Sequence, residues 1–187
     1  MSHVIKKYNL SEYNFNELVG DLFDIDSLTN LHYLEDSLCS SELLDQSNEA
    51  ETFFHNVFYS KLREGWLEIE EAYEDFISNE VSPLFNEDFL YQKFPTFRVQ
   101  VPKQTAVSKW HYDSDEDHKH PDWEINFQIA LTDMKDSSAT WVETVPGLND
   151  FSPMNMEQGE FCIFNGNKCR HGNKVNKTGK TRVSFDF

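Results

Sequence analysis

The residues of this chain best suited to chemistry form two histidine–aspartate pairs, each with one residue between the partners. One pair is His111 and Asp113, in the run W-H-Y-D, and the other is His120 and Asp122, on either side of Pro121. On a β-strand, residues two apart project from the same face, so an imidazole and a carboxylate at this spacing can reach one metal ion. Because so short a pattern also arises by chance, each pair is at first only a hypothesis.

The first pair is the better candidate for a metal site. His111 follows a run with strand character, whereas His120 precedes Pro121 in a polar stretch. A proline removes a backbone hydrogen-bond donor and restricts the residue before it, so the second pair is predicted to lie in a loop. We therefore predict that His111 and Asp113 bind one metal ion.

A third ligand is needed, and His171 can provide it. Two histidines and one carboxylate form the facial triad that binds Fe(II) in non-haem oxygenases and leaves positions open for a cosubstrate and O2. Taken alone, His171 could equally be a loop histidine that caps a turn. Cys169 lies two residues earlier and could compete as a soft ligand, although a buried structural thiol is its more ordinary role.

Arg182 and Ser184 share one face of the last predicted strand. A guanidinium binds a carboxylate through two parallel hydrogen bonds, and a serine hydroxyl can add one more. This pair suits the distal carboxylate of 2-oxoglutarate. The alternative is an ordinary strand that carries a surface ion pair.

Short strands are predicted to position these residues. Runs rich in Phe, Ile, Val, Trp and Thr alternate with clusters of Pro, Gly, Asn and Asp. The runs cover residues 97–101, 124–131, 139–145, 160–164 and 181–187. Their number and spacing predict a sandwich or jelly roll, the double-sheet arrangement of cupin-type barrels.

The first half of the chain is predicted to be helical. Between Glu49 and Leu84, large apolar residues recur at steps of three and four and draw one stripe on a helix that ends at Pro83. Shorter helices are predicted at 11–23 and 27–38, each with a serine at its start that can cap it. We expect an α+β fold with one domain over 1–187: a mainly helical support at 1–93, packed against a jelly-roll core with the metal site at 94–187.

Composition and charge exclude several classes of protein. The chain has 33 acidic and 16 basic residues, a net charge of -17, and is 39% hydrophobic, which argues against a disordered protein. Residues 1–93 hold 20 acids and 5 bases, whereas 94–187 hold 13 and 11. This acidity argues against nucleic acid or a membrane surface as partner. The acidic helical face is interpreted as a solvated surface, with a partner surface as the alternative.

Three dispersed cysteines and the lack of an apolar leader predict a cytoplasmic location.

The spaced residues resemble the signature of a known superfamily. His111-x-Asp113, His171 and Arg182-x-Ser184 are similar to the H-x-D, H and R-x-S elements of the Fe(II)/2-oxoglutarate-dependent oxygenases. More closely, residues 97–187 resemble the streptomycin-biosynthesis hydroxylase group, relatives of the phytanoyl-CoA dioxygenases. The similar segments are H-Y-D, E-I-N-F, L-T-D, W-V-E-T-V-P-G, F-N-G, H-G-N and T-G-K-T-R-V-S-F-D-F.

This resemblance implies a double-stranded β-helix that binds Fe(II) through His111, Asp113 and His171. It also implies that 2-oxoglutarate chelates the iron, contacts Arg182 and Ser184 with its far carboxylate, and is converted with O2 to succinate and CO2. Halogenases of the superfamily have a small residue in place of the carboxylate ligand, so the aspartate favours hydroxylation or a related oxidation. No side chain outside the metal centre is expected to act as acid or base.

Strand alternation predicts further pocket residues. Apolar residues alternate along 125–131, which leaves Asn126 and Gln128 on the other face, either lining the pocket or facing water. The resemblance favours an inward Asn126 as a cosubstrate contact, and Gln128 is a candidate substrate contact. Other strands add the candidate substrate contacts Arg98, Gln100, Trp141 and Glu143.

An acidic loop, D-S-D-E-D at 113–117, follows the first pair of proposed ligands. We expect it to rim the pocket and to favour a cationic small molecule, such as an amino or guanidino compound, with Asp115 as a substrate contact. A solvated loop is the simpler interpretation. Two other functions remain open for the barrel: a cupin-like metal-dependent isomerase or epimerase, and a non-catalytic binding module.

Overall fold

Two antiparallel sheets form the β part of the protein, in a computed structural model that describes residues 3–34, 52–104 and 110–187. The larger sheet contains β1 (His3–Lys7), β2 (Thr96–Gln100), β3 (Asn126–Ala130), β6 (Glu160–Phe164) and β8 (Arg182–Asp186). Its strands lie in the order β1, β6, β3, β8, β2, so strands distant in sequence are neighbours.

The smaller sheet has β4 (Thr140–Glu143) between β5 (Phe151–Pro153) and β7 (His171–Asn173). His111 pairs with His171 as an isolated antiparallel bridge outside these strands. The chain around His111 therefore continues the smaller sheet on the far side of β7.

Alternation along the strands gives the larger sheet two different faces. One face belongs to an aromatic core that it shares with the helices; among its members are Phe15, Phe58, Phe76, Phe97, Phe127, Phe161 and Phe185. The other face carries polar side chains together with a second, smaller core of Ala130, Val142, Met154, Cys162 and Phe164, contributed by strands of both sheets and their connections. The polar side chains of interest lie on this second face.

Three α-helices lie wholly within the described residues: α1 (Phe15–Leu22), α2 (Phe53–Glu64) and α3 (Leu67–Phe76), the last continued by a π-helical turn, Ile77–Val81. The predicted single helix from 49 to 84 is thus wrong in its continuity. Gly65 adopts φ +94° directly after α2, a conformation that side-chain-bearing residues rarely adopt, and so ends that helix. The apolar stripe survives the break because both helices bury it in the aromatic core.

Other boundaries also differ from the sequence-based expectation. Asn14, not Ser11, is the N-cap of α1. Within 27–34, a short 3-10 turn, Leu28–Asn30, is followed by helical residues at 32–34. Residues 35–38 of that predicted helix lie outside the described residues. All five predicted strands are present within about two residues at each end.

Three strands were not predicted from the sequence: β1, β5 and β7. The strand β1 lies in the half predicted to be mainly helical, and most of its residues are exposed, so it has no buried alternating face to reveal it. It forms through pairing with β6, from His3 opposite Phe164 to Lys7 opposite Glu160. The fold is α+β, as predicted. In the described part of the chain, no helix has the length and apolar character that a membrane span requires.

Candidate metal centre

The side chains of His111, Asp113 and His171 meet at one point. The backbones of the two histidines exchange hydrogen bonds, His111 N to His171 O and His171 N to His111 O, both 3.0 Å. Asp113 Oδ1 lies 3.4 Å from His111 Nε2 and 3.5 Å from His171 Nε2. One nitrogen or oxygen atom from each residue lies within 4.8 Å of the others, so the three can bind one metal ion.

A backbone contact selects the tautomer of His171. Its Nδ1 lies 3.2 Å from the carbonyl oxygen of Cys169, which can only accept a hydrogen bond. Nδ1 therefore carries the proton and Nε2 presents its lone pair toward Asp113, as a metal ligand must. Burial and the neighbouring His111 lower the pKa of His171, whereas Asp113 acts to raise it. The net lowering of the pKa favours the neutral ring. Cys169 thus contributes its backbone carbonyl to the site, and its thiol is buried.

Asp113 is held as a carboxylate. Burial acts to raise its pKa, but hydrogen bonding with His111, the nearby His171 and the amide of Asn126 lower it to about 2. The side chain of Asn126 donates from Nδ2 to Asp113 Oδ2 at 2.8 Å. A carboxylate and two imidazoles form a donor set that fits a divalent transition metal.

Gly166 makes room for this arrangement. A Cβ atom at this position would lie 2.0 Å from Asp113 Oδ2 and 2.8 Å from His171 Cε1. Its backbone N donates to Asn126 Oδ1 at 2.7 Å, and its carbonyl accepts from Asp113 N at 3.0 Å. Both ends of the Asn126 amide are therefore engaged in fixing the aspartate; its predicted contact with a cosubstrate stays a prediction.

The same pocket extends from the metal ligands to a buried arginine. Arg182 lines it and is 1% exposed. Its Nη1 donates to Ser184 Oγ at 3.0 Å, and its Nη2 donates to Asn173 Oδ1 at 2.9 Å. Asn173 follows His171 by two residues on β7, so both side chains leave the strand on the same face. The predicted metal site and the predicted carboxylate site therefore belong to one pocket.

Asp186 connects further predicted residues on this pocket wall. It accepts hydrogen bonds from Gln128 Nε2 at 2.9 Å, Ser184 Oγ at 3.2 Å and Arg98 Nε at 3.2 Å. Arg98 and Gln128 also line the pocket. Since the carboxylate only accepts, it fixes the orientation of the Gln128 amide. Among the described residues, no donor reaches the buried Oε1 of Gln128.

The other predicted substrate contacts lie outside the residues that line this pocket. Gln100 donates to the carbonyl oxygens of Gln104 and Lys174, at 3.0 and 2.7 Å. Trp141 has the ammonium of Lys174 3.0 Å from its ring centroid. Strand alternation explains this placement for Trp141, because Thr140 lines the pocket and its neighbour on β4 points the other way. The substrate contacts of Gln100 and Trp141 stay predictions.

Two acidic residues on the predicted list bind backbone instead. Asp115 accepts from the backbone N of Tyr112 at 3.1 Å, within the acidic loop. Glu143 is fully buried on β4 and accepts backbone hydrogen bonds from three residues. Neither side chain lines the pocket, and their contact with a substrate also stays a prediction.

The second histidine–aspartate pair gives an unexpected result. It lies in a loop, yet His120 lines the same pocket, with its Nδ1 2.7 Å from Glu124 Oε1. Together with Asp113, these two residues form a second group whose ligand atoms lie within 4.8 Å of one another. The loop returns to the site because His120 N donates to the carbonyl oxygen of Asp113 at 2.9 Å. Asp122 belongs to neither group.

Several site residues were missed or given only as parts of longer motifs. Asp186 could have been found, because it continues the alternation of Arg182 and Ser184 along the last strand. Asn173 likewise follows His171 at a two-residue step. Gly166 and Glu124 carry no such signal, because their importance depends on which distant segments meet in space.

The comparisons with known proteins find one biosynthesis protein that is similar along the chain and do not assign the chain to a family. No protein-family model matches the chain. The streptomycin biosynthesis protein StrG of Streptomyces griseus is 27% identical over 181 residues, which cover 97% of this chain and 81% of StrG. The chain is therefore similar to a biosynthesis protein over nearly its whole length.

Two solved structures align more weakly. A non-heme monooxygenase, the ThoJ–Ni complex, has a TM-score of 0.46 and 10% identity, covering 99% of this chain and 71% of that one. AviO1 from Streptomyces viridochromogenes Tue57 also has a TM-score of 0.46, with 12% identity over 99% of this chain and 88% of its own. At this level the structural likenesses carry no argument about chemistry, so the function must be argued from the site.

Proposed function

We propose that this protein is an Fe(II)- and 2-oxoglutarate-dependent dioxygenase that hydroxylates a small molecule. The observation that carries the proposal is one pocket with a buried His-Asp-His triad and a buried, serine-bonded arginine. The triad supplies the ligand types of a non-haem iron site, and the arginine supplies a cation for a carboxylate.

The strand arrangement supports a jelly-roll core for this enzyme. With β1 set aside, the larger sheet has four strands, and the segment at His111 gives the smaller sheet a fourth extended segment beside β7. Two four-stranded sheets with a core between them match a jelly roll. The aromatic core that joins the helices to the larger sheet supports the expectation of a single domain.

His111, Asp113 and His171 would hold the iron. When bound, Fe(II) and 2-oxoglutarate supply the oxidising chemistry, with O2 as the oxidant and succinate and CO2 as products. The protein's own contribution is orientation: Asn126 holds Asp113, and the Cys169 carbonyl keeps the Nε2 of His171 deprotonated. No side chain outside this centre needs to act as acid or base.

Arg182 would bind the distal carboxylate of 2-oxoglutarate. Asn173 and Ser184 accept hydrogen bonds from two of its nitrogens and hold the guanidinium within the pocket. A rigid, buried guanidinium loses little conformational entropy when it binds a carboxylate. The hydroxyl of Ser184 donates to Asp186, so it must turn from that residue if it is to donate to the cosubstrate.

The primary substrate would be a small polar molecule with a positively charged group, such as an amino or guanidino compound. Glu124 and Asp186 bring two carboxylates to the pocket that can accept from an ammonium group, and Gln128 lines the same pocket. Arg98, already paired with Asp186, would contact an oxygen of the substrate. The similarity to a streptomycin biosynthesis protein supports a small biosynthetic intermediate as the substrate.

An anaerobic titration tests this proposal. Fe(II) followed by 2-oxoglutarate should produce the weak visible charge-transfer band of a chelated 2-oxo acid, and succinate should form once O2 and substrate are added. A folded protein that binds no iron, or binds it without the band, would refute the assignment; the second result would favour a metal-dependent isomerase.

A pair of histidine variants identifies the ligand set. His111→Ala should abolish iron binding, whereas His120→Ala should leave it intact, because only the first histidine belongs to the predicted triad. The reverse result would assign the iron to Asp113, His120 and Glu124. Circular dichroism of both variants checks that each is folded.

A further inference from the structure

Glu143 contacts both segments that carry the proposed metal ligands. Alternation on β4 turns it to the outer face of the smaller sheet, yet it is fully buried because neighbouring segments cover it. Its Oε2 accepts from Arg170 N at 2.8 Å and from the hydroxyl of Tyr112 at 3.2 Å. Arg170 precedes the ligand His171, and Tyr112 lies between the other two ligands.

The same carboxylate also fixes a loop. It accepts from Gly147 N at 3.2 Å through Oε2 and from Asn149 N at 2.9 Å through Oε1. The backbone N of Glu143 adds a bond to the Arg170 carbonyl at 2.9 Å. One buried side chain therefore joins three segments: 147–149, Tyr112 and the entry to β7.

We propose that Glu143 is a positioning residue of the metal centre, which sets the distance between the His111–Asp113 segment and His171 from the outer side of the smaller sheet. The inference rests on the proposed metal-binding function. In the described part of the chain, the ligand-bearing segments are joined by the backbone bridge between His111 and His171 and by the Arg170 guanidinium, which donates to the Trp110 carbonyl at 3.2 and 3.3 Å. A buried carboxylate bonded to both segments adds a further constraint.

Glutamate is specifically suited to this role. A carboxylate accepts at both oxygens, and here every partner of Glu143 is a donor. In Glu143→Gln, the amide oxygen can serve Tyr112, Gly147 and Arg170, but the amide nitrogen then faces the N–H of Asn149. Two donors would oppose each other in a buried site, and the side chain must shift.

The experiment measures the affinity for Co²⁺, used as an oxygen-stable probe ion, together with the thermal midpoint of the metal-free protein. We expect Glu143→Gln to raise the Kd for Co²⁺ about tenfold, the lower end of the effect of residues that orient metal ligands. Tyr112→Phe removes only the hydrogen bond between Glu143 and the His111–Asp113 segment, so it should raise the Kd for Co²⁺ less than Glu143→Gln does. The visible spectrum of bound Co²⁺ should change in Glu143→Gln, since ligand geometry is altered.

Asp150→Asn is the matched control. Asp150 follows the same loop; its carboxylate accepts from the hydroxyl of Thr144 and its backbone carbonyl accepts from Thr144 N, and neither group bonds a ligand-bearing segment. Asp150→Asn should lower the thermal midpoint without changing the Kd for Co²⁺.

Equal Kd values for wild type, Glu143→Gln and Tyr112→Phe would overturn the inference. It would also be overturned if Asp150→Asn raised the Kd for Co²⁺ as much as Glu143→Gln does. If Glu143→Gln fails to fold, Tyr112→Phe decides. Failure of wild type to bind Co²⁺ would instead overturn the proposed function.

Discussion

In the proposed function Arg182 binds a carboxylate of 2-oxoglutarate, and the loss of that contact should be measurable on its own. Arg182→Lys keeps the charge but cannot bond Asn173, Ser184 and a carboxylate with one planar group. A charged hydrogen bond contributes about 1.5–3 kcal/mol, so the KM for 2-oxoglutarate should rise roughly 10- to 100-fold. Steady-state kinetics with varied 2-oxoglutarate at saturating substrate measures it.

The matched change for this prediction is Arg98→Lys. Arg98 lines the same pocket but pairs with Asp186, so its substitution should act on the KM for the primary substrate. If Arg182→Lys left the KM for 2-oxoglutarate unchanged, the carboxylate site would have to lie elsewhere.

Gly166 should be intolerant of a single methyl group. Its added Cβ would lie 2.0 Å from Asp113 Oδ2, so in Gly166→Ala the aspartate or the backbone must move. We expect Co²⁺ binding to be lost or weakened more than in Glu143→Gln, which acts from a greater distance. Calorimetric titration gives the affinity, and a normal Kd in the alanine variant would show that the crowding is relieved without cost.

The sequence predicts the ligands of this site better than the residues that support them. His111 with Asp113, and Arg182 with Ser184, could be selected because strand alternation places residues two apart on a shared face, whereas His171 was chosen as the third ligand that such a site needs. His120 lies in a loop, as predicted, but a loop can fold back on the site, as this one does. Supporting contacts such as that of Gly166 with Asp113 join segments far apart in sequence, and no local pattern records them.

At the scale of elements, the start of α2 contains a buried histidine. Thr52 caps this helix, and its Oγ1 lies 2.6 Å from His55 Nδ1. Burial, aided by the nearby Arg98, lowers the pKa of His55 to about 4. The ring is therefore neutral in the folded protein, whereas in the unfolded chain it takes up a proton near its ordinary pKa of 6.5.

This difference makes the stability depend on pH. The unfolded state binds more protons between pH 6.5 and 4, so the stability that is present above pH 6.5 is lost as the pH falls toward 4. Between pH 7.5 and 5.0 we expect a loss of about 2 kcal/mol from this residue. Urea unfolding at both pH values should show a smaller loss for His55→Gln than for wild type; equal losses would mean that other groups dominate.

The helices and strands that were predicted are those whose apolar residues recur at a regular spacing and are buried. The runs that became β2, β3, β4, β6 and β8 have residues buried against one or both cores, and α2 and α3 bury one stripe. The break at Gly65 was missed because the stripe continues through it. The short β5 and β7 were missed because three residues cannot display a period.

At the scale of the whole molecule, the aromatic core couples the helices to the larger sheet. Phe58 of α2 stacks on Phe97 of β2, with ring centroids 4.4 Å apart, and contacts Phe185 of β8 at 5.6 Å. Phe58→Ala should therefore cost about 3–5 kcal/mol of the free energy of unfolding.

The packing of the helices on the larger sheet also predicts that the protein unfolds in a single cooperative transition. Far-ultraviolet circular dichroism, dominated by helices, and tryptophan fluorescence should report the same midpoint in wild type and in Phe58→Ala. Separate midpoints would show that the helices unfold independently of the sheets.

Most of the acidity of the chain lies in its first half and has little part in the site. Of the described residues, none before Gln92 lines the pocket, although residues 1–93 hold 20 of the 33 acids. The net charge therefore bears on solubility and partners, and the local carboxylates Glu124 and Asp186 bear on the substrate.

The pairing of β1 with β6 has a consequence for how the protein is made. His3 pairs with Phe164, so β1 has no partner until the ribosome has released the more than 150 residues that separate it from β6. Closing so large a loop is slow compared with forming α2 or α3. Until β6 has emerged, β1 cannot join the larger sheet, and its edge is open to pairing with other chains.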